Sequence, residues 1–215
     1  MKGKLLYVYD ALCGWCYGFG PVMHQIAETY ADQFTVEVIS GGMVTGSREG
    51  IMDEQMANYI LQAIPRLEEY TGVTISEAYK AKLRSGGLYQ SSVKPSIALS
   101  LFKTHYPDQS LAFASAIQRA QFAEAKDLQD DATYAALLQA YPALDVTDFL
   151  QQMATEEQRY AAEQDFQYAA AMGITGYPAL IALVDEKYYL LSRGYQPFDS
   201  LNKTMQQFLQ SLAQG

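Results

Sequence analysis

Residues 9–18 of the chain read YDALCGWCYG and contain the motif Cys13-Gly14-Trp15-Cys16, on which the whole interpretation rests. These two cysteines are the only ones in the sequence. A secreted protein that depends on disulfides for stability would use more cysteines at wider spacing. A bridge between Cys13 and Cys16 would close a very short loop, and such a loop constrains the unfolded chain little. The pair therefore favours thiol–disulfide chemistry over a structural crosslink.

A zinc site is the alternative for the same two cysteines. Four ligands would require both histidines of the chain, His24 and His105, together with Cys13 and Cys16. Structural zinc sites usually bring a second closely spaced pair of ligands, and these two histidines are far apart in the sequence. The spacing favours redox chemistry, which needs no metal. Because no glycine-rich phosphate-binding loop is present, we also expect no nucleotide or flavin cofactor.

The cysteine motif lies between a predicted strand and a predicted helix. Residues 5–10 form a short apolar run, and apolar residues recur at three- and four-residue spacing over residues 17–30. Cys13 falls at the junction, where free backbone N–H groups and the helix dipole favour a thiolate. Cys16 follows one helical turn later. We predict that Cys13 is the accessible attacking thiol and that Cys16 is the buried resolving thiol.

Two neighbours of the cysteines allow more than one interpretation. Asp10 precedes Cys13 by three residues and is either a modulator of the thiol's proton or a strand-end turn residue. Trp15, beside Gly14, either forms an apolar substrate platform next to the thiolate or serves only in packing. A substrate-binding role is assigned to both Gly14 and Trp15.

A second motif lies far downstream. Residues 173–178 read GITGYP and precede the apolar run 179–184, which is typical of a buried strand. A proline at a strand start is compatible with a cis bond or an edge position. The backbone of Tyr177, next to Pro178, could pair with an extended substrate. A further strand over 187–193 and an amphipathic helix over about 197–212 are predicted to follow.

These motifs and the order of predicted elements resemble the DsbA-like branch of the thioredoxin superfamily. The likeness extends to its cytoplasmic FrnE-like dithiol–disulfide isomerases, which are related to 2-hydroxychromene-2-carboxylate isomerases. The resemblance implies an α/β thioredoxin fold with a large all-helical insertion between the second and third strands. It also implies that Cys13 is the nucleophile and that Pro178 is a cis-proline facing it. Many family members carry proline where Gly14 stands, so the resemblance leaves the redox strength open.

A strand over residues 35–40 and a series of helix signals from about 49 to 172 fit this scheme. We therefore predict a thioredoxin-like domain formed by residues 1–48 and 173–215, and a helical lid domain formed by residues 49–172. The formal charge of −9 with scattered basic residues argues against a nucleic-acid partner. No apolar run approaches the roughly 20 residues that span a bilayer. If Met1 is the natural start, the protein is expected to be cytoplasmic, although a removed leader would leave the same sequence.

The predicted function is that of a thiol–disulfide oxidoreductase or isomerase with a protein or glutathione-like thiol or disulfide as substrate. A reducing cytosol favours the dithiol form, and hence the reductase or isomerase direction over net oxidation. Two alternatives remain. A glutathione-dependent isomerase or transferase would use the same fold, but that subfamily generally has serine where Cys13 stands. A non-enzymatic adaptor would bind its partner without either thiol. No oligomeric state follows from the sequence.

Overall fold

A computed structural model describes residues 3–214. Met1, on which the prediction of a cytoplasmic start depends, lies outside the described residues. The thioredoxin-like part of the fold consists of strands β1 (Gly3–Tyr9), β2 (Phe34–Ser40), β5 (Ala179–Val184) and β6 (Lys187–Arg193), with helices α1 (Gly14–Thr29) and α9 (Phe198–Gln214). Between β2 and β5 lie β3 (Gly50–Ile51), α2 (Glu54–Thr71), α3 (Glu77–Ser85), β4 (Tyr89–Gln90), α4 (Val93–His105), α5 (Ser110–Phe122), α6 (Asp131–Leu138), α7 (Val146–Met153) and α8 (Glu156–Ala171).

The four long strands form one mixed sheet in the order β2-β1-β5-β6. Strand β1 pairs in parallel with β2, to which it is connected through α1, and antiparallel with β5, while β5 pairs antiparallel with β6. The interior strand β1 is buried on both faces, which explains its continuous apolar sequence. Leu5 and Tyr7 pack on the face covered by α1 and α9, whereas Leu6 and Val8 pack with residues near the end of α8. The predicted thioredoxin fold with its inserted helices is confirmed.

The insertion also contains a two-residue antiparallel ladder. Gly50 pairs with Gln90, and Ile51 pairs with Tyr89. The sequence pattern did not predict this ladder because two-residue strands are too short to show alternation. The ladder continues into a hydrogen bond from the Met52 N–H to the Leu88 carbonyl, 2.8 Å long. It fixes the segment that leads into α2.

The helices of the insertion belong to two packing units. Helices α4 to α7 contribute to the same continuous core as the sheet, where Phe102 stacks on Phe113 with ring centroids 3.9 Å apart. Helices α2 and α3 instead share a small core of their own, to which Phe122 at the end of α5 also contributes. The domain division at residues 48/49 and 172/173 stays a prediction.

Side chains from α4 and α8 occupy the outer edge of β2. The Lys103 ammonium donates to the Val38 carbonyl at 3.0 Å and to the Asp165 carboxylate at 2.8 Å. The same Asp165 oxygen accepts the Ser40 N–H at 3.2 Å. Both side chains are largely buried, at 17% and 15% exposed. The pair thus forms hydrogen bonds with backbone groups of an edge strand that would otherwise be open to water or to another chain.

We expect Asp165→Asn to lower the free energy of unfolding by about 1–3 kcal/mol, because it leaves the Lys103 ammonium in a largely buried site without its counter-charge. Urea unfolding followed by circular dichroism measures the change. The matched control is Glu163→Gln, which removes an exposed partner of Arg159 on the same helix and should change stability by less than about 0.5 kcal/mol. Equal effects of the two substitutions would contradict this account of the β2 edge.

Candidate active site

Cys13 is the N-cap residue of α1. Its backbone is extended, with φ −84° and ψ 110°, and its sulfur accepts the Cys16 N–H at 3.3 Å. The Tyr17 N–H donates to the Cys13 carbonyl and begins the helical hydrogen bonding. The Cys13 sulfur therefore lies at the positive end of the helix dipole, where a thiolate would accept the same N–H.

The segment immediately before β5 contacts the same sulfur from 164 residues further along the chain. The Cys13 thiol donates to the Tyr177 carbonyl at a sulfur–oxygen distance of 3.6 Å. The Tyr177–Pro178 peptide bond is cis, as the resemblance implied. The Tyr177 hydroxyl donates to the Gly41 carbonyl, and its ring occupies the space that a side chain at Gly41 would fill. The absence of a side chain at Gly41 allows Tyr177 to pack against the end of β2.

The two thiols differ in burial, but less than expected. Cys16 is fully buried, and Cys13, which we expected to be accessible, is only 7% exposed. The Tyr177 carbonyl contacts the Cys13 sulfur and the Gln118 side chain contacts the Cys13 carbonyl, and local sequence does not report such long-range contacts. Burial and the neighbouring Cys13 sulfur raise the pKa of the Cys16 thiol well above its usual value. Cys16 therefore stays protonated in the resting dithiol state.

Asp10 is buried beneath the cysteine loop, with 1% exposure. Its carboxylate accepts the Leu12 N–H at 2.9 Å, the Met43 N–H at 2.7 Å and the Ser92 hydroxyl at 3.0 Å. Burial raises the pKa of this carboxyl, and those three donors, together with the Arg48 charge, oppose the rise. The carboxylate thus connects the cysteine loop to two other segments. Its influence on the Cys13 proton stays a prediction.

A buried amide that the sequence did not single out also holds the loop. The Gln118 side chain donates to the Asp10 carbonyl at 3.0 Å and to the Cys13 carbonyl at 3.4 Å. Gln118 lies in an alanine-rich stretch of α5, where a glutamine is an ordinary helix residue. The contact depends on how α5 packs against the loop, so no sequence signal could have indicated it.

A cavity of about 620 Å³ opens beside Cys13, Gly14 and Trp15. Trp15 is half-buried and packs between Tyr70 of α2 and Tyr195, with ring centroids 6.4 and 6.1 Å away. Most of the wall is apolar, and its lining includes Leu12, Met43, Met52, Met56, Ile60, Ile64, Leu67, Ile75 and Phe122. Neither Tyr177 nor Pro178 is among the lining residues. The cavity thus places an apolar wall next to the cysteine motif.

Helix α2 lies unusually close to the start of α1. A Cβ atom at Gly14 would come within 2.8 Å of Leu67 Cδ1, and one at Gly18 would come within 2.5 Å of Thr71 Cγ2. The two glycines therefore allow a contact between the cysteine helix and the wall of the cavity. This contact gives Gly14 a packing role besides the substrate-binding role predicted from the sequence.

Within residues 3–214, no group of three or more histidine, cysteine, aspartate or glutamate side chains lies close enough to hold a metal. His24, one of the four ligands in the zinc alternative, lies with its Nε2 atom 3.0 Å from the Ser115 hydroxyl. No helix in this range is long and apolar enough to cross a membrane.

A family model described as the DSBA-like thioredoxin domain matches residues 4–206. A search of curated proteins found no match. Among solved structures, a proposed protein disulfide isomerase from Nitrosomonas europaea is 25% identical, with a TM-score of 0.87 and coverage of 98% of this chain and 99% of that one. The cytosolic disulfide reductase DsbM from Pseudomonas aeruginosa is 22% identical, with a TM-score of 0.78 and coverage of 95% and 98%.

DsbM has also been solved with glutathione, in a structure 21% identical to this chain with a TM-score of 0.76 and coverage of 95% and 98%. A 2-hydroxychromene-2-carboxylate isomerase is 11% identical over 98% of both chains, with a TM-score of 0.67. At identities below 25%, these likenesses establish the shared fold.

We expect iodoacetamide to alkylate Cys13 at least tenfold faster than Cys16 in the reduced native protein near neutral pH. Cys16 is fully buried and its raised pKa keeps it protonated, whereas Cys13 borders the cavity. Mass spectrometry of peptides after timed quenching measures both rates. The Cys13→Ser variant should be labelled slowly until denaturant is added. Equal labelling of the two cysteines in the folded protein would show that the assignment is wrong.

Proposed function

The chain belongs to the DSBA-like thioredoxin domain family, and from this premise we propose that it is a thiol–disulfide oxidoreductase acting through Cys13 and Cys16. One observation carries the proposal. Cys13 caps α1 with its sulfur beside the cavity, while Cys16 lies fully buried one turn behind it. This arrangement supplies one thiol that meets substrate and a second that waits inside the protein.

The first step is attack by the Cys13 thiolate on one sulfur of a substrate disulfide. A bond forms between Cys13 and that sulfur, the substrate S–S bond breaks, and the other half leaves as a thiolate that takes up a proton. In the second step Cys16 loses its proton and attacks the Cys13 sulfur. The second substrate thiol is released, and a Cys13–Cys16 disulfide remains. Two electrons have passed to the substrate, and an external thiol reductant restores the dithiol.

The burial of Cys16 supports this order of attack. Its raised pKa makes it a poor nucleophile towards free substrate, so it does not compete with Cys13. Once a mixed disulfide has formed at Cys13, Cys16 becomes an intramolecular nucleophile at a very high effective concentration. A buried thiol thus acts only after substrate is bound.

Residues around Cys13 are proposed to hold the substrate. Trp15 and Gly14 line the cavity beside the sulfur. The Tyr177 carbonyl, which accepts the Cys13 thiol in the resting state, would be free to accept a substrate N–H once Cys13 is in a mixed disulfide. Pro178 follows Tyr177 immediately before β5 and is proposed to complete this substrate-binding segment.

The reductase or isomerase direction is proposed in preference to net oxidation, with the cytoplasm as the compartment. A reducing compartment keeps such a pair in the dithiol form. A similar structure, DsbM, is described as a cytosolic disulfide reductase, which supports this choice. The substrate class is a protein or a small molecule that carries a thiol or a disulfide.

We expect Cys13→Ser to abolish disulfide reduction and Cys16→Ser to accumulate mixed disulfides with substrate. Without Cys16 the adduct at Cys13 loses its intramolecular route of release. Adducts formed in a lysate should appear as additional mass on the protein that disappears with dithiothreitol. The matched control is Cys13→Ser/Cys16→Ser, which should form none.

Two results would contradict the proposal. One is a Cys16→Ser variant that forms no adducts with any disulfide, and the other is a Cys13→Ser variant that retains full reductase activity. Partner binding that survives in the double variant would support the non-enzymatic adaptor instead.

A further inference from the structure

The cavity beside Cys13 has very little charge. Of its lining residues, only Arg48 and Asp53 are charged. The Asp53 carboxylate is the N-cap of α2 and accepts the Met56 N–H at 2.7 Å. Arg48 is thus the one cation among the lining residues, in a wall that is otherwise apolar or neutral.

Arg48 lies at the end of the cavity nearest the cysteine loop. It ends a short 3₁₀ turn, Gly46–Arg48, and its Nη2 atom donates to the Gly42 carbonyl at 3.3 Å. Burial raises the pKa of the Tyr177 phenol and of the Asp10 carboxyl, and the nearby Arg48 charge opposes both rises. The Gly42 carbonyl belongs to the Gly41–Met43 segment, whose Met43 N–H donates to the Asp10 carboxylate beneath the cysteine loop, so Arg48 lies on the side of the cavity next to that loop.

The guanidinium retains free hydrogen-bonding capacity. It is exposed and donates to only one carbonyl within residues 3–214, and no carboxylate in that range lies within ion-pair distance of it. An arginine fork matches a carboxylate with two parallel N–H donors. A ligand carboxylate near the Cys13 sulfur could therefore pair with the Arg48 guanidinium.

The apolar side chains of the cavity lining favour an apolar ligand. Ile51, Met56 and Tyr59 line the cavity and are 70%, 50% and 67% exposed. Covering such side chains with an apolar group removes them from water, which is favourable. Methionine side chains on the wall can adjust to different ligand shapes. A volume of about 620 Å³ is in the range of cavities that bind small organic molecules.

We propose that the cavity binds a low-molecular-weight disulfide that has a bulky apolar body and a carboxylate close to its sulfur, and that Arg48 determines this specificity. The inference rests on the proposed function and names the substrate class of the same site. Cys13 forms the mixed disulfide with one half of the molecule, Arg48 pairs with its carboxylate, and the apolar body occupies the wall formed by α2. The other half leaves as a thiol after protonation, so atoms and electrons balance as in the general reaction.

Glutathione disulfide fits this cavity less well. Each half carries two carboxylates and an ammonium group, and all of them lie on a polar backbone. One arginine can pair with only one of these charges, and burying an unpaired charge against an apolar wall is costly. The structure therefore favours an apolar carboxylated disulfide over glutathione disulfide.

The test measures how fast the reduced protein reacts with each of four disulfides. Two are aromatic: 2,2′-dithiodibenzoate has carboxylates next to its sulfurs, and 4,4′-dithiodibenzoate has carboxylates far from them. The other two are the neutral bis(2-hydroxyethyl) disulfide and glutathione disulfide. Stopped-flow measurement at low ionic strength gives the rate of reaction of Cys13 with each probe. The variant is Arg48→Met. The matched control is Arg84→Met, which removes an exposed arginine of α3 that does not line the cavity. Ratios of variant to native rates remove the intrinsic reactivity of each probe.

We expect Arg48→Met to slow the reaction with 2,2′-dithiodibenzoate by roughly three- to tenfold and with 4,4′-dithiodibenzoate by less. The rate with bis(2-hydroxyethyl) disulfide should stay within about twofold of the native rate, and Arg84→Met should change no rate by more than that. Added salt at about 0.5 M should diminish the Arg48 effect.

Three outcomes would overturn the inference. Equal effects of Arg48→Met on all four probes would mean that Arg48 supports the fold rather than the ligand. No effect on any probe, or a rate enhancement over a simple free thiol that is larger for glutathione disulfide than for either dithiodibenzoate, would exclude the proposed substrate class. In these cases the proposed function survives, because the neutral disulfide still reacts. Failure of the native protein to react with any disulfide would reject both.

Discussion

The buried carboxylate of Asp10 organises the region on which the candidate site depends. Its two oxygens hold the Leu12 N–H of the cysteine loop, the Met43 N–H that follows β2, and the Ser92 hydroxyl at the start of α4. These three segments come from different parts of the chain. Burial of a carboxylate costs desolvation free energy, and its three hydrogen-bond donors offset this cost and hold the carboxylate in position. The position of Cys13 relative to the cavity follows from this arrangement.

The site has one wall from each packing unit of the molecule. Cys13 belongs to the core that continues through the sheet, Leu67 and Tyr79 belong to the small core of α2 and α3, and Trp15 packs against both. Pairing between β3 and β4 holds the segment between these units. An apolar wall formed from a small separate core can change its ligand preference with little cost to the main fold. In the proposed function, the sulfur chemistry and the contact with the apolar part of the ligand are thus carried by different parts of the protein.

The sequence predicted the sheet well because its signals are local. The strand over residues 179–184 is an apolar run bounded by a proline and a turn, and the structure has β5 at Ala179–Val184. The junction of strand and helix at Cys13 was also predicted, because the period of apolar residues changes there. Neither feature requires knowledge of distant contacts.

Parts of the site that depend on packing could not be predicted in this way. Arg48 lies in a turn without periodicity, and Gln118 lies on an alanine-rich helix, so neither had a signal. Cys13 is contacted by Tyr177, 164 residues away, and by Gln118 of α5, and it is only 7% exposed. Such contacts are set by the assembled fold, and composition or spacing does not encode them directly.

The close contact between Gly14 and Leu67 has an evolutionary consequence. A side chain at position 14 would meet the end of the Leu67 side chain at 2.8 Å, so this side chain must move or become smaller. Substitutions at positions 14 and 67 are therefore expected to be epistatic. In an alignment of relatives that share this α2 packing, a larger residue between the cysteines should covary with a smaller residue on the facing turn of α2.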